Sequence, residues 1–353
     1  MTEDRLTSRQ RMRALFLGEP LDRVPCVPFA MAFAAKVAGI SIKDFYTAAE
    51  ACYAGQARAA QMLGYEGSPN YGFASFGGGE FGGEVMNPED ERLQAPMVMK
   101  PGLDTLEKVE RLKVPDPRTA GTIPMMLEFA HLCRKNKTGI SVQCGTPFTV
   151  AGNAMGVENL MLWLIDTPDL VHAALKKIAE FCIRVVELFA GEFGAGSLMA
   201  AFGSTMDSNM LISGEQFEEF SLPYAQQVAD AVRAMGVRSI SAHLCGDHNL
   251  NLPRWAKVDF GKPGFLSLGS QTSLPTAVRL LGERNILAGN LDTAEVMQGT
   301  PERVKELSRI AIEQGMKSAR GFVLMCGCEV PPPTPRENIL AMVEACREYG
   351  RYA

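Results

Sequence analysis

A histidine and a cysteine two residues apart, His243-Leu-Cys245, and a second pair, Cys326-Gly-Cys328, are the residues of this chain best equipped for chemistry. Imidazole and thiolate together select a soft or borderline ion. A catalytic zinc site uses three such ligands and keeps a fourth position for water or substrate. His243 lies near the end of an apolar run, Ser239–Cys245, and Cys328 ends another, Phe322–Cys328. Both runs read as strands. Residues i and i+2 of a strand share a face, so His243 and Cys245 point to one spot. A common fold would bring the Cys326/Cys328 pair to the same place. A redox pair or two small core residues are the other readings of Cys-Gly-Cys. His131 and His172 fall in helical stretches and read as packed or solvated helix residues.

The elements that must position these side chains alternate. Eight segments are short, apolar and closed by Gly, Pro, Asn, Asp or Ser. They are Arg23–Phe29, Tyr71–Phe76, Ile140–Gly145, Leu198–Ser204, Ser239–Cys245, Phe265–Gln271, Ile286–Asp292 and Phe322–Cys328. Helical patterns separate most of them, among them Asp169–Phe193, Ser213–Met235, Leu274–Leu281 and Thr300–Gln314. Thr300-Pro-Glu-Arg reads as an N-cap followed by proline at the first helical position, and Thr167-Pro and Thr334-Pro repeat the pattern. This alternation predicts an α/β fold, a (β/α)8 TIM barrel, with a doubly wound open sheet as the alternative. The whole chain, 1–353, reads as a single barrel domain. An N-terminal helical segment lies within 1–20, its helix over Thr2–Leu17, and a Gly-rich irregular loop or lid spans 67–113. In a barrel, strand ends deliver their side chains to the C-terminal mouth.

Other residues fall where a mouth would be. Asp207 follows the fourth segment and reads as a residue that orients substrate or a ligand, or as a turn residue. Asn290 and Asp292 end the seventh segment and would line the mouth. Phe76, Glu80 and Glu84 belong to the Gly-rich loop. They are candidates for covering or contacting a substrate, and the two glutamates are read either as solvated charges or as a fourth metal ligand. Glu329 adjoins Cys328 and could orient it.

Composition narrows the function classes. Lysine plus arginine number 35 against 40 acidic residues, a net charge of −5, which argues against a nucleic-acid binder working through a broad basic face. No apolar run reaches the roughly 18 residues of a membrane span, and the charged N-terminus does not read as a secretory signal. Nine cysteines at irregular spacing are an odd count, unlike a secreted disulfide framework. A cytoplasmic location is the simplest expectation.

The segments His243–Gly246, Gly289-Asn-Leu-Asp292 and Gly321–Asn338, the last containing Cys328-Glu-Val-Pro-Pro-Pro-Thr-Pro335, resemble the uroporphyrinogen decarboxylase superfamily. They resemble more closely its zinc methyltransferase branch, which works with corrinoid proteins. Phe217–Tyr224 fits the same family, and Leu21-Asp-Arg-Val-Pro25 matches it more loosely. The resemblance implies a (β/α)8 barrel with zinc on His243, Cys245 and Cys328; Cys328 is preferred to Cys326 because it directly precedes the proline-rich stretch. The arginine-rich N-terminal motif of the decarboxylases is missing. Pro28–Lys36 stands there with a single lysine, a poor match to a polycarboxylate tetrapyrrole.

The resemblance also implies zinc and a corrinoid (methylcobamide) carried on a separate protein, with a small-molecule methyl donor or acceptor as substrate and a homodimer as a candidate assembly. Two directions stay open. One is demethylation of a small methylated compound, such as a methoxylated aromatic, onto cobalt. The other is transfer from methyl-corrinoid to a thiol of the coenzyme M type, and a decarboxylase-like activity ranks behind both.

Overall fold

Residues 4–352 are described by the computed structural model of the chain; Thr2 and Glu3, with which the expected first helix begins, lie outside them. That helix runs Ser8–Leu17. The Thr7 side chain accepts from the Gln10 N–H, and the chain leaves it through Gly18 in a left-handed conformation.

Helix Ser8–Leu17 is fixed by buried charge. The Arg11 Nε and Nη2 donate to the two oxygens of Asp22 at 2.7 and 2.8 Å, and Nη1 donates to Glu66 at 2.6 Å. Arg23 donates to the same Glu66 oxygen at 2.7 Å, while the other Glu66 oxygen accepts from the Cys26 N–H. The Asp22-Arg23 pair thus joins the entry helix to the two segments that follow it.

Six parallel strands carry the fold: β3 (Ile140–Gln143), β4 (Leu198–Ser204), β5 (Ser239–Leu244), β6 (Gly264–Leu268), β7 (Asn285–Leu291) and β8 (Phe322–Cys326). They pair in chain order with no reversal. A doubly wound sheet needs a switch in strand order, so that alternative is removed. Strands β1 (Glu84–Met86) and β2 (Met97–Lys100) form a separate antiparallel hairpin inside the Gly-rich region. Strand β8 is buried along its whole length, as expected of a parallel strand covered on both faces. In β5, Ile240, Ala242 and Leu244 are buried, and the face of Ser239, Ser241 and His243 keeps partial solvent access.

The first two expected strands are corrected. Arg23–Phe29 contains Pro25 and Pro28, which have no N–H to give to a ladder. It lies beside β8 through one parallel bridge, Cys26 to Leu324, and through a Val330 N–H to Phe29 carbonyl bond of 2.8 Å. Tyr71–Phe76 forms no strand. A side chain replaces the ladder there: the Gln143 amide accepts from the Phe73 N–H at 2.8 Å and donates to the Phe73 carbonyl at 2.9 Å. The Glu66 N–H to Cys26 carbonyl bond, 2.7 Å, ties the first of these segments to the chain that leads into the second. The ladder is therefore six-stranded and does not close, and extended chain occupies the gap between β8 and β3.

Helices cross over between the strands, the longest being Pro168–Phe193 between β3 and β4. Pro301–Gly315 starts as expected, with the Thr300 side chain accepting from the Arg303 N–H. The other two Thr-Pro starts differ. Thr167 has no side-chain capping bond, and Pro335 rather than Thr334 is the cap of Arg336–Glu348. Among the described residues no single helix is long and apolar enough to cross a membrane.

Candidate metal centre

The C-terminal ends of β5 and β8 bring His243, Cys245 and Cys328 together, with one ligand atom of each within 4.8 Å of the others. His243 sits inside β5 on its partly exposed face, and Cys245 follows one residue past its end. Cys328 lies two residues past β8. Cys326 does not join them; its sulfur is buried against Met342 Sδ at 3.8 Å.

The arrangement fits a tetrahedral soft-metal site on three counts. The two sulfurs are 3.7 Å apart. Two Zn–S bonds of about 2.3 Å at a tetrahedral angle require about 3.8 Å between sulfurs. The His243 Nε2 is buried and makes no hydrogen bond among the described residues, although a buried imidazole nitrogen is normally satisfied. Its other nitrogen, Nδ1, is 2.9 Å from the Ser267 hydroxyl on β6. That contact fixes the ring and leaves Nε2 toward the sulfurs, the arrangement that metal-ligating histidines use.

The thiols behave as a pair. Hydrogen bonding from Cys245 pulls the Cys328 thiol well below its ordinary range, against the opposing effect of burial. The same bond, with burial, pushes Cys245 up. A metal ion held here would replace the shared proton and stabilise both as thiolates.

The surroundings of Cys328 come from distant parts of the chain. The Glu329 carboxyl accepts from the Ala32 N–H at 3.3 Å and lies 3.1 Å from the Tyr46 hydroxyl. Burial pushes it up to about 8, so it is largely protonated at neutral pH. The Phe29 ring meets the His243 ring edge-on, with centroids 5.3 Å apart.

The other sequence candidates are corrected or re-sited. Phe76 is core: its ring stacks on Phe181 of the long helix. Glu80 is neither solvated nor a ligand. It is buried inside its own loop, accepting from the Gly77 N–H and from the Thr122 N–H and hydroxyl. Gly77 is required here, because a Cβ would sit 2.7 Å from Val150 and its φ is +103°. Glu84 is exposed at the start of β1. The Asn290 amide donates to the Gly269 and Thr272 carbonyls, tying β7 to the end of β6. Asp292 caps helix Thr293–Gln298 and accepts from Ser270.

Asp207 is fully buried and accepts from Thr146, Ser204 and Ser221 at 2.9, 2.6 and 2.7 Å. Ser221 reaches it from a π-helical turn, Phe217–Ser221. The Ser204 carbonyl accepts the Cys245 N–H at 2.9 Å. Asp207 is thus linked to the backbone of Cys245 through Ser204, and among the described residues it makes no hydrogen bond to His243, Cys245 or Cys328.

Sequence reading missed Ser267, Gln94 and Tyr46. Strand pairing could have found Ser267, which is the β6 partner of His243 in register. Ser267→Ala is expected to lower metal affinity by about 10–100-fold while leaving the fold intact, as loss of a partner behind a ligand does. Competition with a chromophoric chelator measures it, and unchanged affinity would show that Ser267 does not orient His243.

Comparison with known proteins shows the family of the chain. The chain is 32% identical over 234 residues to a methylated-thiol–coenzyme M methyltransferase of Methanosarcina mazei, a match covering 65% of this chain and 59% of the relative. It is 27% identical over 363 residues to a methylcobamide:CoM methyltransferase of the same organism, covering 99% of each. A solved structure described as a methyltransferase from Methanosarcina mazei superposes with a TM-score of 0.81 at 25% identity, over 98% of this chain and 99% of that one. The family model for uroporphyrinogen decarboxylase (URO-D) matches residues 7–349, from the entry helix to the end of the last one, and the chain belongs to that family.

Proposed function

We propose that the chain is a zinc-dependent methyltransferase that moves a methyl group between a small methylated compound and the cobalt of a separate corrinoid protein. The observation that carries this is the convergence of one unpartnered imidazole nitrogen and two thiols at the ends of β5 and β8. The names of the relatives support the same reaction class. The reading takes the extended segment 23–29 and the segment 71–76 as standing, without ladder pairing of their own, where the first two strands of an eightfold barrel would lie, with the site at its C-terminal mouth.

Zinc on His243, Cys245 and Cys328 would supply a Lewis acid for the heteroatom that gives up or takes the methyl group. The chain's own residues do the rest. Ser267 holds the imidazole in one orientation, and the paired thiols are poised to lose their shared proton on loading. Met210 and Leu250, 67% and 62% exposed, lie in the loops after β4 and β5 and give this rim an apolar surface for a protein partner.

The charge of the mouth favours an uncharged methyl compound. The three residues after each ladder strand, and after Phe29 and Phe73, are apolar, neutral polar or acidic, with no lysine or arginine among them. A sulfonate there would forgo a charge-assisted hydrogen bond of about 1.5–3 kcal/mol, or about 10–100-fold in kcat/KM. Transfer to a thiol is the second reading. It is favoured by the near-zero net charge of two thiolates and a neutral imidazole around a dication, which weakens Lewis acidity.

The test supplies a Co(I) corrinoid protein and follows methyl-cobalt formation by absorbance. A neutral aryl methyl ether is expected to react at least about tenfold faster than S-methyl coenzyme M. Reaction only in reverse, from methyl-cobalt to a thiol, would establish the second reading.

A further inference from the structure

The hairpin of β1 and β2 reaches the candidate metal centre through its tip. Gln94, in the connection 87–96, donates its side-chain amide to the Glu329 carbonyl at 2.7 Å. The Gln94 carbonyl in turn accepts from the Tyr46 hydroxyl at 2.5 Å, and that hydroxyl lies 3.1 Å from the Glu329 carboxyl. Lys36 and Glu91 pair beside it at the surface. Glu329 is the residue after Cys328. Where the Cys328 sulfur sits depends on how the chain directly after it is held. The Glu329 carbonyl bonded by Gln94 and the Val330 N–H bonded to the Phe29 carbonyl are the two ends of one peptide unit, which is therefore fixed on both sides directly after Cys328.

We infer that Gln94 is a positioning residue for Cys328, and that the tip of the hairpin is a strap energetically coupled to the metal centre. This inference rests on the metal reading above and adds to it a segment about 230 residues away in sequence. The physical reason is reciprocity. If the Gln94 bond favours the geometry in which Cys328 ligates, then ligation must favour the Gln94 bond by the same factor. The strap should tighten when metal binds.

Two measurements on the full chain, with Co(II) alone as the probe, test this. In the first, Co(II) is titrated into metal-free protein and the thiolate-to-Co(II) charge-transfer absorbance is read. Wild type is expected to show the band. Gln94→Ala and the near-isosteric Gln94→Glu, which lacks the donor, are expected to bind about 10–100-fold more weakly with an altered band. Thermal midpoints of the metal-free variants should match wild type, which a general loosening of the fold would not allow. In the second, which needs no variant, trypsin cleavage after Arg92, whose side chain is 88% exposed, is expected to slow on Co(II) loading. Wild-type affinity and spectrum in both variants would overturn the inference, and so would cleavage indifferent to the metal. A wild type that shows no thiolate-to-Co(II) band would instead defeat the metal centre itself, and this inference with it.

Discussion

Cys328→Ser is expected to strip the metal from the chain and to lower methyl transfer by about 10³-fold. The substitution keeps nearly the same shape but replaces a thiolate by a hydroxyl that stays protonated near neutral pH and binds zinc weakly. A site left with one imidazole and one sulfur falls below the three protein ligands of a catalytic zinc centre. The several kcal/mol that a Lewis acid contributes correspond to about three powers of ten in rate. Elemental analysis of purified protein checks the first part, with one zinc per chain in wild type and none in Cys328→Ser or in His243→Ala Cys245→Ala. Cys326→Ser is the control, because its sulfur faces Met342, and it should keep the metal. Retention of zinc by Cys328→Ser together with loss by Cys326→Ser would reverse the assignment.

Asp22→Ala carries the largest expected loss of stability, about 3–5 kcal/mol at neutral pH, the cost of breaking a buried ion pair from one side. Both side chains of the Arg11–Asp22 pair are 1% exposed. The variant leaves the Arg11 guanidinium without its bidentate partner, and the Arg5 and Leu6 N–H groups without their acceptor. Urea unfolding at constant pH measures it, and a loss under about 1 kcal/mol would show that Glu66 or water takes over the role of Asp22.

The same residue predicts an acid dependence. Burial alone would raise the Asp22 carboxyl, but the hydrogen bonds from Arg11 and Leu6 outweigh it and hold it well below its ordinary value. A depressed carboxyl contributes its stability fully above the unfolded-state value of about 4, and loses it as pH falls toward the lowered one. The difference between wild type and Asp22→Ala should therefore be full at pH 6 and shrink below pH 4. A difference that grows with acidity would contradict the charge assignment.

Local signals carried far in this chain. Period-two spacing placed His243 and Cys245 on one side of a strand, and apolar runs bounded by turn residues located the six ladder strands. Both signals depend on neighbours in sequence, which the backbone geometry of a strand converts directly into direction. The first expected strand failed for a reason also written locally, since Pro25 and Pro28 cannot donate to a ladder, whereas the second gave way to a distant partner, the Gln143 side chain that takes both backbone groups of Phe73. The helix starts at Thr167 and Thr334 show that a capping pattern names a place where a helix can begin, not the bond that will be used.

What the residues alone settled was the kind of chemistry, a nitrogen and sulfurs suited to a soft metal, and the strands that would present them. Tertiary structure decided which sulfur joins the histidine, that Ser267 bonds its ring and Gln94 the backbone after Cys328, and that Phe76 and Glu80 are buried in the scaffold. Those bonds reach partners 24 and 235 residues away. The type of a side chain limits what it can bond to, whereas its actual partner is set by which distant segment packing brings within about 3 Å.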